Sequence, residues 1–126
     1  MTIKMVQDGK LKSWTNGTGS NVVAGQLIKQ ANVLVIAKDA IASGAVGQVY
    51  VEGVFSGVPK VSAAVFVFGE KLVWDISANT NAGAFDDSAA SPATGDVTGA
   101  AIAWIDGANE ETTCTIKLTP GNSTIT

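Results

Sequence analysis

The sequence predicts an all-β domain: a compact β-sandwich or small barrel of short antiparallel strands, with little or no helix. Three observations carry this. Valine, isoleucine, threonine and aromatic residues recur in runs of four to eight, and the clearest runs alternate apolar and polar with a period of two. Glycines and Asn/Asp turn residues break these runs at short intervals, as connections between strands do. No segment places apolar residues at i, i+3, i+4 and i+7 over two full turns; the nearest approach to helix is one turn at residues 62–66.

The elements follow in chain order. Asp8-Gly9 and Asn16-Gly17 are tight-turn dipeptides on either side of a strand at residues 11–14. Strands at 26–29 and 33–38 come next. In the run at 48–55, Val49, Val51 and Phe55 share one face, and Gln48, Tyr50 and Glu52 the other. At 71–76, Leu72, Trp74 and Ile76 line one face, while Ile102 and Trp104 do so at 100–105, so both tryptophans are assigned to the core. Asp106-Gly107 is a further turn. At 113–118, Cys114, Ile116 and Leu118 lie opposite Thr113, Thr115 and Lys117. Residues 77–96 are nearly all small or polar, with Phe85 the one bulky apolar anchor. They form either one long loop or a loop interrupted by a short strand at Ala84-Phe85. No repeat or linker divides the chain, so residues 1–126 are one domain, with candidate flexible segments at the N-terminus (1–20) and C-terminus (120–126).

Composition excludes several classes of function. Charged residues are 15% of the 126, against about 25% in an average soluble domain. All eight basic residues are lysines, and histidine is absent. This removes the commonest general base and zinc ligand together with the bidentate arginine fork for phosphate. A net charge of −3 disfavours nucleic-acid binding. Apolar runs such as 33–37 are far short of the roughly 18 residues of a membrane helix. Residues 1–10 lack the apolar stretch of a secretory signal, so the chain is expected to be made and used without secretion.

The chemical motifs are weak. Cys114 is the lone cysteine, sits on the apolar face of its strand and has no histidine to activate it; an inert buried thiol is expected. No nucleophile elbow occurs, and the adjacent Asp86 and Asp87 do not make a separated acid/base pair. Asp75, Ser77, Asn79, Asn81 and Asp86 have the spacing of a calcium loop. The turn glycine, however, is ninth (Gly83) instead of sixth, and the twelfth residue is Asp where a bidentate Glu is required. The expectation is therefore a protein without catalytic activity, cofactor or metal. Low charge and many small apolar residues leave a nearly neutral surface, which suits a component of an assembly. Trp14, next to a Gly-rich stretch near the terminus, is either an interface anchor or an ordinary strand residue.

The order of short motifs resembles the head decoration (capsid cement) proteins of tailed bacteriophages. The likeness opens with Val6-Gln7-Asp8-Gly9 and Val22-Val23-Ala24-Gly25-Gln26-Leu27-Ile28. It continues with Gly47-Gln48-Val49-Tyr50-Val51-Glu52-Gly53-Val54-Phe55 and Val58-Pro59-Lys60. Its most specific piece is Phe68-Gly69-Glu70-Lys71-Leu72-Val73-Trp74-Asp75, similar to the family's Gly-Asp-Lys-aliphatic-Tyr/Trp-Asp signature. Thr98-Gly99-Ala100-Ala101 and Thr115-Ile116-Lys117-Leu118 close the series, which spans residues 6–118. The resemblance implies a structural virion protein that binds the outer surface of the capsid through the major capsid protein and stabilises the expanded shell. It also implies synthesis in the host cytoplasm. Self-association as a dimer or trimer on the shell is expected from the neutral surface, with neither nucleic acid nor membrane as partner. Lys4, Lys10, Lys12 and Trp14 are the candidate capsid contacts, on an arm that orders on docking. Alternatives are another β-structured part of the virion, such as a tail or fibre module, and a carbohydrate-binding β-sandwich.

Overall fold

The computed structural model describes residues 3–5 and 7–126. Met1 and Thr2 of the expected arm, and Val6 of the first motif, lie outside the described residues. Strand makes up 44% and helix 3%, so the chain is all-β.

The strands form two antiparallel sheets. The first comprises β1 (Leu11–Thr15), β2 (Leu27–Gln30), β3 (Val33–Ala37) and β4 (Val46–Tyr50), in the order β1-β4-β3-β2. The second comprises β5 (Gly53–Pro59), β6 (Lys71–Asp75), β7 (Ala84–Asp86), β8 (Val97–Ala103) and β9 (Thr113–Leu118), in the order β5-β9-β8-β6-β7. The chain end, β10 (Thr124–Ile125), pairs with the first residues of β8, while β9 pairs with the last. Past the end of β5, Lys60 bridges Phe85 of β7, and Val61 N–H donates to the Phe85 carbonyl. The two edges of the second sheet meet there, and the sheet closes into a small barrel.

The uninterrupted apolar run of β3 has a physical reason, because this strand is buried on both faces. Leu34 and Ile36 join the main core with Leu72, Trp74, Phe85, Ile116 and Leu118 inside the barrel. Val35 and Ala37 join a smaller core with Trp14, Val22, Ile28, Ile41 and Val49.

Several sequence expectations are corrected. The run at 48–55 is two strands in different sheets. Strand pairing is interrupted at Val51-Glu52, and Gly53 takes φ +134°, a conformation that L side chains rarely adopt, so the chain leaves one sheet for the other. Residues 62–66 form no helical turn; Ala64 N–H closes a turn on the Val61 carbonyl and Phe66 bridges Gly107. Gly107 is thus a bridge partner and not a hairpin tip. Within 77–96, the expected option of a short strand is β7, preceded by a single turn, α1 (Ala78–Asn81), in which Asn79, Thr80 and Asn81 all have positive φ. The segment 120–126 is tied to the sheet through β10 and through Gly95 N–H, which donates to the Thr126 carbonyl.

Candidate functional site: an exposed aromatic face of the barrel

Alternation along β8 and β9 divides their side chains. Ala101 and Ala103, with Cys114, Ile116 and Leu118, point into the barrel and are buried. Ile102, Thr115 and Lys117 therefore point outward. Register places Val54 opposite Lys117, Lys117 opposite Ile102, and Ile102 opposite Lys71, a row across four strands of the outer face.

Trp104 continues that face beyond Ile102 and is 40% exposed, which corrects its assignment to the core. Phe68, 60% exposed, meets the indole edge-on, with ring centroids 5.5 Å apart at 90°. The Lys117 ammonium lies over the Trp104 ring, 5.7 Å from its centroid. Ile105, Val65 and Val67 are also more than half exposed. Ile76, expected to line the core with Leu72 and Trp74, is 37% exposed at the end of β6.

Backbone bonds hold this patch rigidly. Gly69 N–H donates to the Ala103 carbonyl and Ala103 N–H to the Glu70 carbonyl, fixing the 67–70 turn to β8. The Asp106 carboxylate accepts from Phe68 N–H at 2.7 Å. One Glu70 oxygen accepts from Val67 N–H at 3.0 Å; the other accepts from both the backbone N–H and the hydroxyl of Ser88 at 2.7 Å. Partial burial raises the Glu70 pKa, but the bonds from Ser88 and Val67 outweigh it, and the carboxyl is held below its ordinary 4.5.

Other polar groups are bonded within the fold. Burial pushes the Cys114 thiol up to about 12, against a weaker lowering by Lys60, and its Sγ contacts the Val58 carbonyl at 3.4 Å. Lys60 is itself buried; its ammonium donates to the carbonyls of Val61, Ser62 and Glu111. Asp75, the first residue of the calcium-loop spacing, accepts from the N–H and hydroxyl of Ser77, and Asp86, the last, accepts from Asp87 N–H. Among the described residues, no group of three or more His, Cys, Asp or Glu side chains is placed to hold a metal. A cleft of about 310 Å³, walled by Leu27, Ile36, Phe55, Val58 and Trp74, carries no acid, base or thiol.

Lys4, Lys10 and Lys12 are exposed. Trp14 is not: it is 8% exposed, packs in the smaller core, and donates from Nε1 to the Gln30 side chain at 2.9 Å. Of the two readings of Trp14, the structure shows the strand residue, in β1 with its indole turned into the smaller core. Residues 16–20 are also held, since buried Asn16 donates to the carbonyls of Ser20 and Ile41 and accepts from Thr18. Sequence reasoning paired Ile102 with Trp104 correctly but turned the pair inward. The available signal was the size of their neighbours, because Ala101 and Ala103 suit the crowded interior of a small barrel and bulky residues do not.

The chain thus offers an apolar surface held by backbone bonds, with two lysines directed outward from it and its one thiol buried. In a comparison with protein families, residues 6–118 match phage cement proteins. The chain belongs to the phage cement protein family. The match spans the same residues as the ordered motifs, including the Phe68–Asp75 signature that forms the 67–70 turn and β6. Comparisons with curated proteins and with solved structures find no match. As a phage cement protein, the molecule is a structural, capsid-associated component of the virion.

Proposed function

We propose that the protein binds the outer surface of the phage capsid, on the major capsid protein, and stabilises the expanded shell without doing chemistry. The observation that carries this reading is the exposed Phe68–Trp104 pair on a preformed barrel face, in a member of the cement family. Stabilisation follows from linkage: a ligand that binds only the assembled, expanded lattice shifts its equilibrium with disassembled subunits by the binding free energy at every site. Many copies then resist internal pressure together. The protein is made in the host cytoplasm and self-associates on the shell as a dimer or trimer about a local symmetry axis. Lys4, Lys10 and Lys12 steer approach to an acidic shell while contributing little affinity.

The test mixes the purified protein with expanded and with unexpanded heads, counts bound copies, and follows shell melting. Saturable binding that prefers expanded heads and raises their melting temperature is expected. Absent binding, or binding without a melting shift, would overturn the reading. An exposed tryptophan also suits a sugar platform, but at Trp104 the Lys117 ammonium lies over a face of the indole. A glycan array is accordingly expected to give background signal.

A further inference from the structure

Resting on that reading, we infer that the outer face of the barrel, centred on Trp104 and Phe68, is the surface that meets the shell. Its partner there is an apolar recess edged by acidic side chains on the major capsid protein, and not a second copy of this chain.

The first argument is anchoring. Phe68 meets Trp104 edge-on with ring centroids 5.5 Å apart, both rings are open to solvent, and their chain neighbours Val67 and Ile105 are each more than half exposed. Large aromatics in a desolvated centre carry most of the energy of an interface. Here they sit on a turn bonded to β8 and on Asp106, so docking costs little ordering entropy. The N-terminal candidates lack this property, because Trp14 is sealed in the smaller core.

The second argument is charge. The two acids nearest the aromatics, Glu70 and Asp106, turn their carboxylates onto backbone N–H groups. The side chains directed outward from the row are Lys71 and Lys117. The four charges balance, but the acids spend acceptor capacity inside the fold, so the groups directed outward to pair across an interface are the two lysines. A second copy would bring the same two lysines and no acid beyond those already bonded within its own turn, and so offers no complementary charge. An acidic-edged apolar surface satisfies both the aromatics and the lysines.

The experiment uses the full chain and expanded heads, with co-sedimentation at several salt concentrations and circular dichroism to confirm folding. Trp104→Gln and Phe68→Gln probe the anchor, a Lys71→Glu/Lys117→Glu double variant probes the charges, and a Lys4→Glu/Lys10→Glu/Lys12→Glu triple variant is the contrast. All the altered side chains are partly or largely exposed, so the variants are expected to fold. Should Trp104→Gln unfold, Phe68→Gln and the charge double variant decide. Trp104→Gln is expected to weaken binding roughly thirtyfold. The double variant is expected to weaken it about tenfold and to flatten its salt dependence. If wild type binds and the face variants stay within threefold of it, the inference is overturned while the proposed function stands. If wild type fails to bind, both fall. A reconstruction that buries this face against a neighbouring copy would also overturn it.

Discussion

Glu70 shows how one carboxylate positions the exposed aromatics. It closes its own turn on Val67 and reaches across to Ser88, fastening the 67–70 turn to the loop after β7. Its folded pKa lies below the ordinary 4.5, so the ionised form is the one the fold prefers. The stability it contributes is therefore fully present above about 4.5 and is lost as pH falls through the lower folded value. The carboxyl is largely solvated, which keeps that contribution small. The expected sign is a local change: the Ser88 and Val67 amide resonances should titrate together below pH 4.5 in wild type and stay flat in Glu70→Gln. Titration of these amides in the variant as well would assign the effect to another acid. Little of this was legible in the chain. Residue spacing indicated which side chains share a strand face, but the partner of Glu70 lies 18 residues away on a loop with no periodicity. The tryptophans show the same limit. Trp14 follows a polar strand start and precedes Asn-Gly, which looks exposed, yet the Val22–Ile41 bridge brings cover from the next segment.

Strands were legible wherever one face is buried and the other wet. Thr113–Leu118 is the clearest case, because burial alternates along it residue by residue. The β4–β5 boundary was not legible, since the apolar residues keep alternating through a change of sheet. Nor was the left-handed turn at 79–81, in which the β-branched Thr80 takes φ +56° alongside two asparagines that tolerate it better. Gly83 explains how that turn returns to β7. It has φ +92°, and a Cβ on it would lie 2.2 Å from Cζ2 of Trp74. The glycine thus lets the backbone lie against the indole, which in turn packs against Phe85 at 4.8 Å. Gly83→Ala is expected to cost about 3 kcal/mol, from overpacking together with positive φ. That corresponds to a fall in melting temperature of roughly 10 °C. Gly121 also has positive φ but has open space where a Cβ would go, so Gly121→Ala is the control and should cost about 1 kcal/mol. Equal losses in the two variants would mean that the indole yields and close packing at Gly83 is not the reason for the glycine.

The molecule as a whole is a closed barrel with a smaller four-stranded sheet docked on it through β3, and the two parts have unequal cores. Fifteen buried residues make up the main cluster and seven the smaller one, among the described residues. Local opening free energy follows buried apolar contact, so the parts should not open alike. In the barrel, β8 and β9 pair on both sides and line the interior, whereas β1 and β2 are the outer strands of their sheet. β3 belongs to both cores and should behave with the barrel. Hydrogen exchange is expected to be slowest in β8 and β9, slow in β3, and faster by at least tenfold in β1 and β2. Trp14→Ala sharpens the expectation. It removes the largest side chain of the smaller core and its bond to Gln30, so it should accelerate exchange throughout β1, β2 and β4 while leaving β8 and β9 close to wild type. Uniform acceleration across all strands would show instead that the two cores unfold as one cooperative unit. Independence would have a mechanical consequence for a cement protein. The barrel face bearing Trp104 would keep its geometry while the outer sheet fluctuates, so attachment to the shell would not depend on the least stable part of the chain.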